Sequence, residues 1–100
     1  MEISVTEVKA RLDAGEQFIF IDVREPWESE EFSIGARLVP LNTLVQQLPE
    51  WADHKEDMIV LHCRSGSRSS MAQMVMKANG FKNVYNMTGG ISAWQAAFGS

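Results

Sequence analysis

Cys63 is the only cysteine of the chain, and the residues after it are Arg64-Ser65-Gly66-Ser67-Arg68-Ser69. The apolar run Met58-Ile59-Val60-Leu61-His62 precedes it, and a helix-like stretch follows. A sulfur at the end of a strand, before a Gly/Ser loop and a helix N-terminus, lies where anions are held. Backbone N–H groups of such a loop converge on one point, and the helix dipole adds positive potential there. These donors, with Arg64 and Arg68, favour the thiolate, which is the nucleophilic form.

A lone cysteine in a small domain is commonly a buried small hydrophobe. The polar and cationic neighbours oppose that reading here. His62 invites a Cys–His pairing, but successive strand residues point to opposite faces, so it should aim away from the thiol as a satisfied or partly buried histidine. His54, among Asp53, Lys55, Glu56 and Asp57, reads as solvated. Cysteine-dependent phosphatases place an arginine six positions after the nucleophile; here Ser69 holds that position and Arg68 comes one residue early. The smaller ring suits a single extra sulfur atom better than a phosphate. Asp22, Arg24, Glu25 and Glu28 read as a buried strand end and an ion-paired loop, with Glu28, Glu30 and Glu31 forming a solvated acidic face. Met71 and Met74 have core spacing, which argues against a copper site. Trp27, Trp51 and Trp94 are expected to pack, with Trp27 able to reach the rim of the site.

The elements that must position the loop can be read in outline. Ser4 and Glu7 have capping-box spacing, with Val5, Val8 and Leu12 at helical intervals until Gly15. Phe18 to Val23 is a continuous apolar run apart from Asp22, the mark of a strand covered on both faces. Arg24 to Ser33 suggests a loop with a short helical turn, Leu38 to Leu41 a short extended piece, and Leu44, Val45 and Leu48 a brief helix ending at Pro49, with Trp51 in a linker. Met58 to His62 forms the second strand. Ser69 or Ser70 is the expected cap of the next helix, whose inward face would carry Met71, Met74, Val75 and Ala78. Gly80 closes that helix, Val84 to Asn86 forms a third strand, Gly89-Gly90 a turn, and Ile91 to Phe98 a last helix. Strands alternating with helices predict an α/β fold with a small, mostly parallel sheet and helices on both faces. Ligands of such sheets bind at the carboxyl ends of the strands, where Cys63 falls.

With 100 residues, 45% hydrophobic and 22% charged, the chain is expected to form one domain over residues 1–100. A net charge of −4 argues against nucleic acid or an anionic membrane as partner. One cysteine and two histidines give no case for a metal or another cofactor. The N-terminus shows no basic segment followed by an apolar run, and no stretch approaches the ~20 apolar residues of a membrane span. The expected location is therefore the reducing cytoplasm.

Four segments together resemble the single-domain rhodanese family of sulfurtransferases over nearly the whole length. They are Ile21-Asp22-Val23-Arg24-Glu25-Pro26-Trp27-Glu28, the loop Cys63 to Ser69, Gly80 to Asn86, and Met87-Thr88-Gly89-Gly90-Ile91-Ser92-Ala93-Trp94. One departure lies in Glu31 to Arg37, where Phe32 replaces a histidine that is generally structural in the family. The resemblance implies a three-layer rhodanese-like fold and sulfur transfer from a small anionic donor such as thiosulfate. A Cys63 persulfide then passes its sulfur to cyanide, a thiol or an acceptor protein. Backbone N–H groups of residues 64 to 68 would hold the anion, with Gly66 letting the backbone curl inward and Ser65 and Ser67 adding hydroxyl donors. Arg64 would attract the donor, and Arg68 would anchor the loop through a carboxylate. Asp22, Arg24 and Ser69 would support the site, Ser69 as the helix cap. The alternatives are a protein-binding sulfur carrier or redox-sensing module and, disfavoured by ring size, a phosphatase.

Overall fold

The computed structural model describes residues 1–99. In chain order the elements are β1 (Glu2–Ile3), α1 (Val5–Asp13), β2 (Ile19–Asp22), α2 (Pro26–Glu31), β3 (Arg37–Leu38), α3 (Leu44–Gln47), β4 (Ile59–His62), α4 (Ser67–Ala78), β5 (Val84–Met87) and α5 (Gly90–Phe98). The five strands form one sheet in the order β1-β5-β4-β2-β3, and every pair is parallel. The α/β class with a parallel sheet is therefore as the strand–helix alternation requires.

One face of the sheet, carrying Ile21, Val23, Ile59, Leu61, Cys63 and Val84, packs on Leu44 of α3 and on Ala72 and Met76 of α4. The other, carrying Val60 and Met87, packs on Val5 and Val8 of α1 and Trp94 of α5. The central strand β4 is buried along its whole length, so Cys63 sits directly beyond the best-covered strand end. Ser4 caps α1 by accepting from the Glu7 N–H at 3.1 Å, and Ser4 and Glu7 hold the two ends of the expected spacing.

Three expectations are corrected. First, α4 begins at Ser67 with Gly66 as its N-cap, so neither Ser69 nor Ser70 caps it. Second, the inward face of α4 is Ser69, Ala72, Gln73 and Met76, while Met71 and Met74 stand 57% and 69% exposed and Ala78 is exposed too. Ser69 and Gln73 can face inward because each is paired there; Gln73 Nε2 donates to the Val84 carbonyl at 2.9 Å and to that of Met1. Third, Trp51 sits at a kink between two short 3-10 turns within Leu48–His54, with φ −109° and ψ 18°, and is buried in the core rather than in a linker. The edge strand β1 had no signal of its own; two residues show no periodicity.

Candidate active site

β4 ends at His62, and the chain turns over the carboxyl end of the sheet from Cys63 to Gly66 before α4 starts. Gly66 makes that turn with φ +112°, a conformation that a side chain disfavours. An added Cβ would meet its nearest neighbour, Gly89 N, at an ordinary 3.6 Å, so the glycine serves backbone conformation rather than space. The opposite wall is the first turn of α5. There the Ile91 and Ser92 N–H groups donate to the Cys63 and Arg64 carbonyls, both at 2.9 Å. Gly90 admits this approach, because a Cβ there would strike the Cys63 carbonyl and lie 2.7 Å from that of Arg64.

The Cys63 sulfur is buried and accepts from the Gly66 N–H at 3.1 Å, with Ser69 Oγ at 3.4 Å. Burial pushes the thiol up. The Ser69 hydroxyl and the backbone N–H groups of Ser69, Gly66 and Ser65 outweigh it, and the net shift is downward. Of the amides expected over residues 64 to 68, that of Gly66 makes the hydrogen bond to the sulfur and that of Ser65 also favours the thiolate, joined from outside the range by that of Ser69. Ser65 and Ser67 are exposed, and no side-chain hydrogen bond ties either to the sulfur. Arg64 is exposed and lines the cleft beside the loop.

Arg68 turns away from the sulfur toward α2. Its two terminal nitrogens donate to Glu28 Oε1 and Oε2 at 2.6 and 2.8 Å. Glu28 Oε1 also accepts from the Glu25 N–H at 3.0 Å, so one carboxylate closes the start of α2 and anchors the start of α4. Arg68 chiefly, against the opposing pull of burial, holds Glu28 at about 2. Glu28 is 7% exposed and does not belong to a solvated acidic face with Glu30 and Glu31; that expectation is corrected. Its partner stands forty positions away, beyond the reach of local pattern.

Asp22 and Arg24 meet each other rather than the sulfur. Arg24 Nε and Nη2 donate to the Asp22 carboxylate at 2.8 to 3.1 Å, and Nη2 also reaches the Phe32 carbonyl at 2.7 Å. This buried pair pins the chain as it leaves β2. The Phe32 that departs from the family histidine thus helps through its backbone, and its ring packs partly into the core.

His62 occupies the reverse face of the sheet beside Phe20, with ring centroids 5.3 Å apart. It is fully buried, and neither ring nitrogen has a hydrogen-bond partner, so it is not the satisfied histidine expected. Burial, helped by Arg24 and opposed by Asp22, lowers its pKa to about 4. His54 is half-exposed and pairs with Asp57.

Asn86 is the site residue that sequence reasoning missed, because it stands there only as the end of the third strand and of the Gly80 to Asn86 segment, with no role in the site. It is buried on the Cys63 side of β5; Oδ1 lies 2.5 Å from Ser69 Oγ, and Nδ2 donates to the Gly66 carbonyl at 3.2 Å. A cleft of about 180 Å³ opens beside the loop, lined by Trp27, Phe32, Arg64, Ile91 and Ser92 among others. Trp27 is 57% exposed, so it borders the site rather than packing, whereas Trp51 and Trp94 pack. Among the described residues no cluster of three His, Cys, Asp or Glu could hold a metal.

The provisionally named sulfur carrier protein YrkF of Bacillus subtilis is 37% identical over 94 residues, covering 93% of this chain and 50% of that one. The tRNA uridine(34) hydroxylase of Escherichia coli is 36% identical over 94 residues, covering 89% of this chain and 27% of that enzyme. The chain therefore spans half or less of the length of these curated relatives. A rhodanese-like domain protein from Staphylococcus aureus has the same fold, with a TM-score of 0.84 at 29% identity over 94% of this chain and 91% of that one. The family model described as the rhodanese-like domain matches residues 4–97, and the chain belongs to that family.

Proposed function

We propose that this protein is a sulfurtransferase that carries a sulfane sulfur on Cys63. The observation that carries the reading is the buried thiol held by the Gly66 N–H at 3.1 Å at the head of α4, below its ordinary pKa. The Cys63 thiolate attacks the outer sulfur of thiosulfate, the S–S bond of the donor breaks, and sulfite leaves with its electron pair. The new S–S bond makes a Cys63 persulfide anion. Cyanide or a thiolate then attacks the outer sulfur and returns Cys63 as thiolate, so no external oxidant or reductant is consumed.

In this reading the loop amides hold charge on sulfur as an oxyanion hole does on oxygen. Gly66 gives the loop its turn, Ser65 contributes its amide, Ser67 opens α4, and Arg64 draws the anionic donor to the mouth. Arg68 fixes the loop through Glu28, and Asp22 with Arg24 fixes the neighbouring segment. Arg68 is engaged by Glu28 rather than free to grip a phosphate, which supports sulfur over phosphoryl transfer. The chemistry requires a free thiol, which suits a reducing compartment.

The test is thiocyanate formation from thiosulfate and cyanide. The wild type should turn over, and Cys63→Ser should fall below detection; a Cys63→Ser variant that keeps its rate overturns the reading. A second reading, a sulfur carrier that serves a protein acceptor, is favoured by the name given to the Bacillus subtilis relative. It predicts rapid loading of Cys63 in a single turnover and slow discharge to cyanide, whereas the enzyme discharges at its turnover rate.

A further inference from the structure

The Ser69 hydroxyl has one proton and three acceptors around it. Asn86 Oδ1 is at 2.5 Å, the Gly66 carbonyl at 3.2 Å and Cys63 Sγ at 3.4 Å. The Asn86 amide is oriented by its other end. Nδ2 faces the Gly66 carbonyl, which can only accept, and a flipped amide would set two oxygens against each other there. Asn86 Oδ1 is therefore an acceptor, and the shortest of the three contacts takes the proton. Ser69 then presents a lone pair to Cys63, an arrangement that suits the neutral thiol, whose S–H can donate to it. A thiolate needs the reverse: the hydroxyl must swing to the sulfur and release Asn86, so the help that Ser69 gives the thiolate is offset by the loss of that bond.

We propose that Asn86 is a positioning residue that withholds the Ser69 proton from Cys63 and so favours the resting thiol over the thiolate. Once a second sulfur is attached, the negative charge sits about 2 Å further out, on the outer sulfur. The inner sulfur is then neutral and makes no claim on the hydroxyl. The Asn86–Ser69 bond is thus strained only in the unloaded thiolate and intact in the persulfide. The device protects the empty site from stray electrophiles and leaves the loaded site undisturbed. This consequence rests on sulfur transfer through Cys63, but the proton competition does not.

The readout is the pH midpoint of Cys63 alkylation by iodoacetamide, which reports the thiol without any sulfur donor. The charged groups near the loop are Arg64 and Arg68 on its own segment, Glu28 on α2, and Asp22 and Arg24 at the end of β2. His62 lies on the reverse face of β4, and the start of α5 brings no titratable side chain. None changes between the variants. Asn86→Leu should lower the midpoint by about one pH unit, with roughly tenfold faster alkylation on the acid side, because the thiolate gains the hydroxyl without competition. In a Ser69→Ala background the same substitution should move nothing. An unchanged or raised midpoint, or a shift that persists without the Ser69 hydroxyl, overturns the proposal. If Asn86→Leu does not fold, Asn86→Ala has the same predicted sign, and Ser69→Ala alone is a separate check. It should raise the midpoint by less than about half a unit, since most of the hydroxyl's donation already goes to Asn86; a rise of a full unit or more would place the proton on the sulfur.

Discussion

His62 and Cys63 are adjacent, equally buried and titratable, yet the two sides of the sheet treat them in opposite ways. On the Cys63 side the chain bends so that backbone N–H groups aim at the sulfur, and its pKa falls despite burial. On the His62 side there is an aromatic ring, no hydrogen bond to either ring nitrogen and the Asp22 carboxylate no nearer than 4.0 Å, and burial keeps the imidazole neutral down to about pH 4. Burial alone therefore silences a titratable group. Burial with donors already in place makes the charged form available, which separates a core histidine from a nucleophile.

The largest effect that would break this contrast concerns acid stability. An unfolded His62 binds a proton near pH 6.5, which the folded chain refuses until about 4, so stability falls as pH drops through that window. The loss amounts to about 3 kcal/mol. His62→Phe should remove most of it in urea titrations at pH 7 and pH 4.5 while leaving sulfur transfer within about threefold. On the other side of the sheet, Gly66→Val disturbs the turn that aims the amide at the sulfur. Transfer should drop roughly 30-fold, on the scale of one charge-assisted hydrogen bond of about 2 kcal/mol. An unaltered rate would mean the Gly66 N–H is not needed.

Glu28 sharpens the comparison at the loop's anchor. Its carboxyl, at about 2 instead of 4.5, stabilises the fold above pH 4.5, and that contribution is lost as pH falls toward 2. With Arg68 partly in solvent, the contribution is about 1–2 kcal/mol. Glu28→Gln should melt earlier than wild type at pH 7, and the gap should close by about pH 2. Arg64→Ala should have the smallest effect, a two- to fivefold rise in KM for thiosulfate that shrinks in high salt, with kcat retained.

Much of this arrangement was legible in the chain. β2 and β4 announced themselves as apolar runs, and Cys63 with its Gly/Ser loop announced an anion site at a strand end. Strand alternation also placed His62 on the reverse face. What was not legible involves partners distant in sequence. Ser69 and Gln73 face inward on α4 because Asn86 and the Val84 carbonyl await them, and apolar periodicity assigned that face to Met71 and Met74 instead. Glu28 looked like one more member of an acidic run until Arg68 met it. A polar residue's burial follows from its partner, and a periodicity rule weighs each residue without one.

The central claim is that Cys63 itself holds the transferred sulfur, and intact mass after brief exposure to thiosulfate tests it most directly. The wild type should gain one sulfur atom, lose it on addition of cyanide, and show no gain as Cys63→Ser. No gain under donor excess, or an equal gain in Cys63→Ser, would contradict the account.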